Sequence, residues 1–338
     1  MNTVKNIFNF NNIPIWFMRQ AGRYMYEYNN IKKKFNSFFS MCKNVDAVTE
    51  ITLLPIKKFN FDAAIIFSDI LIVLECLNMK VNFIKGKGPE VVNTEMYNIF
   101  KNSKYNGDLE KLNPVYESIR SVKRELNSLN KPLIGFSGAP WTIAAYMLEG
   151  NLTKDLSVAK TIAYKNPDFM SNVTYILSDI IIKHIIRQIE SGVDMIQIFD
   201  THSNILDYYS KEKYSIDPVK KICKKVKENY PDIPISYFSK DTNYNLGGLY
   251  KYIDIVSFSS SVRMKDYTEL VPNNIVFQGN LDPIKLIAGG KEMKDSVINI
   301  LQEMNDKEFI FNLGHGILPQ TPRENVEACI DLVKSFKN

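Results

Sequence analysis

Eight short apolar runs, each followed by a segment with helical periodicity, do most to limit how this sequence can fold. They occupy residues 14–18, 63–67, 132–136, 195–199, 235–238, 253–258, 275–277 and 309–312. Several are continuously apolar and bounded by polar or turn residues, the pattern of parallel strands covered on both faces. The segments between them carry helix signals. Asp217-Pro218 and Asp282-Pro283 each read as an N-cap followed by proline at the first helical position. Thr321-Pro322-Arg323-Glu324 adds a capping-box pattern and opens a final helix running to Phe336. Residues 167–191 place apolar side chains at three-to-four spacing and stop at Gly192.

Eight strands alternating with helices in 338 residues predict an α/β fold, a single-domain (β/α)8 TIM barrel over residues 1–338. Its active-site cleft is expected at the C-terminal ends of the strands. A hydrophobic content of 45% supplies core enough for one domain of this size. The alternative is an open doubly wound sheet. Glycines at 86 and 88, and Gly247-Gly248, lack the G-x-G-x-x-G spacing, and no G-x-x-x-x-G-K-[ST] occurs. No nucleotide cofactor is expected.

A net charge of +5 is too small for a nucleic-acid reader, and Lys32-Lys33-Lys34 reads as a solvated helix face. Cys42, Cys76, Cys223 and Cys329 show no C-x-x-C spacing and no nearby histidine. That argues against a disulfide framework or structural zinc and fits a reducing compartment. The most apolar stretch, residues 63–77, is interrupted by Ser68, Asp69 and Glu75 and is too short to span a bilayer. With no signal peptide visible, the chain reads as soluble and cytoplasmic; a plastid-type organelle is the alternative if a targeting segment has been removed.

Polar residues collect after the strands. Arg19 and Arg23 follow the first run, Ser68-Asp69 the second, and residues 137–141 with Tyr146 the third. Asp200-Thr201-His202 follow the fourth, Ser239-Lys240-Asp241 the fifth, Gly279-Asn280 the seventh and Gly314-His315-Gly316 the eighth. In a barrel, all of these exits open at one mouth. Arg19 and Arg23 are four residues apart, so a helical turn would put both on one face, where two guanidiniums repel unless anions lie between them. Carboxylates suit their bidentate fork. Asp69 ends an apolar run, where a lone carboxylate either caps the next helix or meets donors in a site. His315 sits between glycines that let backbone or ligand come close, whereas His184, in a long amphipathic helix, reads as packing or surface.

The longer motifs carry a resemblance. WFMRQAGRY (16–24), LLPIKKFNFDAAIIFSDIL (53–71), KGKGP (85–89), GFSGAPWTIAAYMLEG (135–150), FQGNLDP (277–283) and NLGHG (312–316) resemble the uroporphyrinogen decarboxylase family, in its order and spacing. The resemblance runs from about Ile13 to the C-terminus. It implies a single-domain barrel, a homodimer with facing clefts, and a reaction without metal or organic cofactor. That reaction removes four acetate carboxyl groups of uroporphyrinogen III, giving coproporphyrinogen III and four CO2 in haem synthesis. By the same resemblance Asp69 takes the four pyrrole N–H donors at the centre of the macrocycle. Arg19 and Arg23 bind its acetate or propionate groups, and Arg19 is a candidate proton donor. Tyr146 and His315 match positions that contact substrate carboxylates or support proton transfer. Thr201 falls where relatives carry a small hydroxyl residue. Phe136 and Gly138 would form the apolar wall and the close backbone approach beneath the ring.

Two departures stand out. Asn29 and Lys32 lie where many relatives have basic residues, and residues 257–261 (Ser-Phe-Ser-Ser-Ser) replace an Asp-Trp pair common after the sixth strand. Two other readings remain: a zinc-dependent methyltransferase of the same superfamily, which needs Cys and His ligands near strand ends, and a non-catalytic tetrapyrrole-binding barrel.

Overall fold

The computed structural model describes residues 3–84, 88–92, 99–100, 107–150, 152–241 and 243–336. Seven parallel strands form one curled sheet and lie across it in chain order. They are β1 Ala64–Ile65, β4 Leu133–Gly138, β5 Met195–Asp200, β6 Ile235–Ser239, β7 Ile255–Ser257, β8 Val276–Leu281 and β9 Phe309–Leu313. Seven of the eight apolar runs thus become sheet strands. The first run differs: Ile15 makes only an isolated parallel bridge to Phe311. An antiparallel hairpin, β2 Lys80–Ile84 with β3 Gly88–Val92, was not foreseen. Part of the KGKGP motif, residues 85–87, lies outside the described residues.

The lower rim repeats one device. Asp194 accepts the Leu133 N–H (2.7 Å) and donates its own N–H to the Leu133 carbonyl (2.8 Å). Asp254 does the same with Ile235 (2.8 and 2.9 Å), and Asp62 with Ile15 (3.0 and 2.9 Å). Each aspartate is also paired with a lysine: Lys123, Lys227 and Lys131. On the other side of Ile15, Phe311 donates to the Pro14 carbonyl (2.8 Å).

Two apolar clusters hold the layers. One fills the inside of the sheet with Trp16, Ile65, Ile134, Met195, Phe238, Ile255, Val276 and Ile310, and Val4 and Phe8 pack into it. Thr3 meets Asp254 at the start of β7, so the N-terminal turn covers the lower end. A polar chain crosses the interior, from Trp16 Nε1 to Gln278 Oε1 (2.9 Å) and from Gln278 Nε2 to Gln197 Oε1 (3.0 Å). The larger cluster lies between the strands and the outer helices. The helix Pro167–Glu190 is long and apolar enough to cross a membrane, but 61% of its most apolar window is buried inside the fold.

The helix signals fared unevenly. Asp282 caps Pro283–Ala288 as expected, accepting from the Ile284 N–H at 2.8 Å. Gly192, with φ +110°, follows the end of the long helix. Asp217 is not a cap: it is the first residue of the α-helix Asp217–Asn229, which continues helical backbone running from Tyr208 through a wide turn at Glu212–Ile216. That turn absorbs the hydrogen bond Pro218 cannot make. Thr321 is no cap either: Pro322 occupies that position before Arg323–Ser335, and Thr321 Oγ1 is buried without a partner.

Candidate active site

A cavity of about 1020 Å³ opens at the C-terminal ends of the strands. Arg19, Arg23, Asp69, Phe136, Tyr146, Thr201 and His315 all line it. Gly138 does not. An added Cβ there would meet Ile143 Cγ1 at 3.0 Å and Ile70 Cβ at 3.1 Å, so this glycine makes room behind the wall that Ile70 presents.

The arginine loop is fixed from both sides. Buried Gln20 donates to the Ala63 carbonyl (3.0 Å) and accepts from the Phe17 N–H (3.1 Å), while Tyr24 donates to the Gln20 carbonyl (2.6 Å). Met18 donates to Asn312 Oδ1 (3.0 Å), and its carbonyl accepts from Ile317 (2.9 Å). Arg19 takes a left-handed backbone, φ +60°, and its stem lies across Gly316. A Cβ on Gly316 would come within 2.4 Å of Arg19 Cδ, so the second glycine of G-H-G is there for the arginine.

Asp69 sits half-buried at the end of β1. Its Oδ1 accepts the Leu71 N–H at 2.8 Å, so it does cap the following turn. Among the described residues no donor engages Oδ2, which leaves that oxygen for a ligand. Burial raises its pKa above the usual carboxylate range, against the Leu71 N–H and the Arg19 guanidinium, which pull it down. Burial, and then Asp69, push the Tyr146 phenol up. Burial carries His315 down to about 3, reinforced by Arg19, Lys240 and His202. At neutral pH His315 is therefore an uncharged imidazole.

The wall carrying Tyr146 is clamped to β5. In the helix Pro140–Glu149, Thr142 donates to Asp200 Oδ1 (2.7 Å) and accepts the His202 N–H (3.2 Å), and Trp141 Nε1 donates to the His202 carbonyl (3.0 Å). The rings of Tyr146 and His202 meet edge-on at 5.3 Å. Gln188, from the long helix, holds both sides of the Phe136 backbone at 3.0 Å.

Not every strand exit reaches the cavity. Asn280 donates to the Ser259 and Val262 carbonyls (both 2.8 Å), and buried Asp241 pairs with Lys211. No residue of 257–261 lines the cavity. Ser257 bonds Ser236 inside the sheet, and Gly314 admits the backbone of Ser260 where a Cβ would come within 2.2 Å. The serine-rich departure is thus a matter of packing between loops. Lys32 does line the cavity. Sequence reasoning missed the hairpin, whose Phe83 and Pro89 line the cavity and whose Phe83 packs on Phe38 at 4.7 Å. Only the KGKGP motif hinted at it. His184 is buried against the Tyr116 hydroxyl (3.0 Å), and all four cysteines are buried and free. No group of three His, Cys, Asp or Glu side chains forms a metal-binding arrangement among the described residues.

A parallel α/β sheet with a large cavity at its C-terminal edge, lined by two guanidiniums and one carboxylate, has the form of an α/β enzyme with an open active-site cleft. The uroporphyrinogen decarboxylase family model matches residues 8–336. A uroporphyrinogen decarboxylase of Rickettsia bellii is 41% identical over 97% of this chain and 96% of its own. One of Brucella canis is 40% identical over 96% and 95%. A methyltransferase from Methanosarcina mazei shares the fold, with a TM-score of 0.77 at 16% identity over 98% of this chain and 96% of that one. The chain belongs to the uroporphyrinogen decarboxylase family, whose members so named are carboxy-lyases.

Proposed function

We propose that this chain removes the four acetate carboxyl groups of uroporphyrinogen III to give coproporphyrinogen III and four CO2. The observation that carries the reading is Asp69: it is the one acidic side chain among the described residues lining a cavity that Arg19 and Arg23 also line. A carboxylate at the centre of a flexible macrocycle accepts from its four pyrrole N–H groups, which offsets its desolvation. It also stabilises the positive charge that develops on the ring. Each cycle protonates a pyrrole carbon beside an acetate, and the cation accepts the electron pair of the C–C bond as CO2 leaves. The exocyclic methylene then gains a proton to become methyl and the ring proton departs, so one proton is consumed for each CO2. Arg19 and Arg23 hold peripheral carboxylates. Neutral His315 and protonated Tyr146 hydrogen-bond acid groups or relay protons, through water where Arg19 is too weak an acid. Thr201 and Phe136 shape the wall, with Gly138 behind it.

The same reading takes residues 1–338 as one domain and a closed (β/α)8 barrel. The repeated aspartate device supports closure, since Asp62 treats Ile15 as Asp194 treats Leu133 and Asp254 treats Ile235. It also takes the chain as a homodimer, which light scattering reads directly. Bacterial relatives favour the cytoplasmic setting, and nothing among the described residues supports the plastid alternative.

Anaerobic incubation with freshly reduced uroporphyrinogen III tests the reading. The expected products are coproporphyrinogen III and four equivalents of CO2. Tight binding without CO2 release would instead make the chain a tetrapyrrole carrier.

A further inference from the structure

The wall formed by β5 and β6 holds a charge that the proposed reaction leaves unused. Phe199 of β5 lies in register with Phe238 of β6, and both line the cavity. Side chains alternate along a strand, so the next positions on that face are Thr201 and Lys240. Thr201 lines the cavity, and Lys240, one position past the Asp200–Ser239 pair on the neighbouring strand, is exposed and lies outside the lining itself. Among the described residues its ammonium has no hydrogen bond and no ion pair, and the neighbouring acid, Asp241, is taken by Lys211.

Lys240 interacts electrostatically with Arg19, His202 and His315. Partial desolvation first, and then the Arg19 guanidinium, pull the exposed Lys240 below the usual ammonium range, and Lys240 in turn disfavours protonation of both imidazoles. His202 carries a buried Nε2 without a partner, and its backbone is pinned by Trp141 and Thr142. Asp69, the acid lining the cavity, is not among the charges that shift Lys240. Arg19 and Lys240 are like charges that disfavour each other, and a carboxylate entering between them relieves that repulsion.

We propose that Lys240, next to Thr201 in the strand register, forms with Nε2 of His202 a carboxylate subsite on the β5–β6 wall that takes one peripheral acid group of the macrocycle. This rests on the proposed uroporphyrinogen reading. The ammonium supplies the charge, and the imidazole, as its Nε2–H tautomer, donates a hydrogen bond.

Steady-state turnover of uroporphyrinogen III by wild type, Lys240→Met, Lys240→Arg and His202→Phe tests it, at low and at physiological ionic strength. Lys240→Met is expected to raise KM about tenfold while kcat moves less than about threefold. Lys240→Arg stays within about threefold of wild type, and the salt dependence of KM becomes shallower in Lys240→Met. His202→Phe raises KM in the same direction. An unchanged KM in Lys240→Met, or a Lys240→Arg variant as impaired as Lys240→Met, overturns the subsite. Wild-type turnover in the same runs judges the reaction separately. If wild type does not turn over, fluorescence titration with oxidised uroporphyrin I, a stable octacarboxylate, still compares wild type with Lys240→Met. Weaker binding by the variant supports the subsite, and equal binding overturns it.

Discussion

Asp69 and Gly316 are the two positions where a single atom decides most. Asp69 spends one oxygen on the Leu71 N–H and keeps the other for the cavity, so structural and functional roles coexist in one side chain. Asp69→Asn keeps an acceptor for the turn but loses the charge and presents donors to pyrrole N–H groups. Activity is expected to fall on the order of a hundredfold or more, with the circular dichroism spectrum unchanged; near-normal turnover would remove the central-anion idea. Gly316→Ala places a methyl 2.4 Å from Arg19 Cδ. Arg19 already sits at φ +60°, a conformation that costs a non-glycine residue about 1 kcal/mol and that its neighbours must hold. The added methyl displaces the guanidinium, so kcat/KM should drop at least about tenfold while thermal stability stays close to wild type. A variant with full activity would show that the stem has another resting place.

Among the elements, the pairing of the helix Pro140–Glu149 with the exit of β5 matters most. Thr142 joins Asp200 to the His202 backbone, and Trp141 closes the same joint. Burial raises the Asp200 carboxyl above its usual range, and hydroxyl donors from Ser215, Thr142 and Tyr237 draw it back down. Thr142→Val removes one of those donors and leaves the His202 N–H unpaired. It should cost about 1–3 kcal/mol, read as a lower urea midpoint, and raise KM by loosening Thr201 and Tyr146. An unchanged midpoint would mean that water replaces the hydroxyl. Thr201 was legible because it follows its strand directly, and Tyr146 because its motif runs on from a strand into the next helix. Thr142 was not singled out, since its partners lie 58 and 60 residues away.

For the molecule as a whole, acid sensitivity follows from histidine. The sequence contains three, and all have depressed folded pKa values: His184 and His202 to about 4, His315 to about 3, with burial the first cause each time. Folded pKa values below the unfolded ~6.5 mean that the unfolded chain binds protons first as pH falls. The stability these groups contribute is full above about pH 6.5 and declines toward pH 4, by up to ~1.4 kcal/mol per pH unit for each proton. Asp69 and Asp200, both raised, take up protons in the folded state before the unfolded chain does, so above the ordinary carboxylate pKa they act in the opposite direction and offset part of the loss. Urea midpoints between pH 7 and 5 should therefore fall, and His184→Gln should show a shallower slope. Equal slopes would show that His184 protonates without unfolding.

The sequence by itself determined the alternation of strands and helices, seven of the sheet strands, and the residues at the cavity that directly follow a strand. Those are local consequences of apolar runs, caps and chain direction. Only the tertiary structure decided the rest. Arg19 is held through Asn312, whose bond to Met18 spans 294 residues, and through Gly316 beyond it. Gly138, Asn280 and residues 257–261 turned out to pack behind the cavity, and the hairpin supplied a wall with no apolar run to announce it. Spacing tells which residues leave a strand together. Which of them then find partners in distant loops, and which remain free to meet a ligand, depends on contacts that form only when the sheet curls.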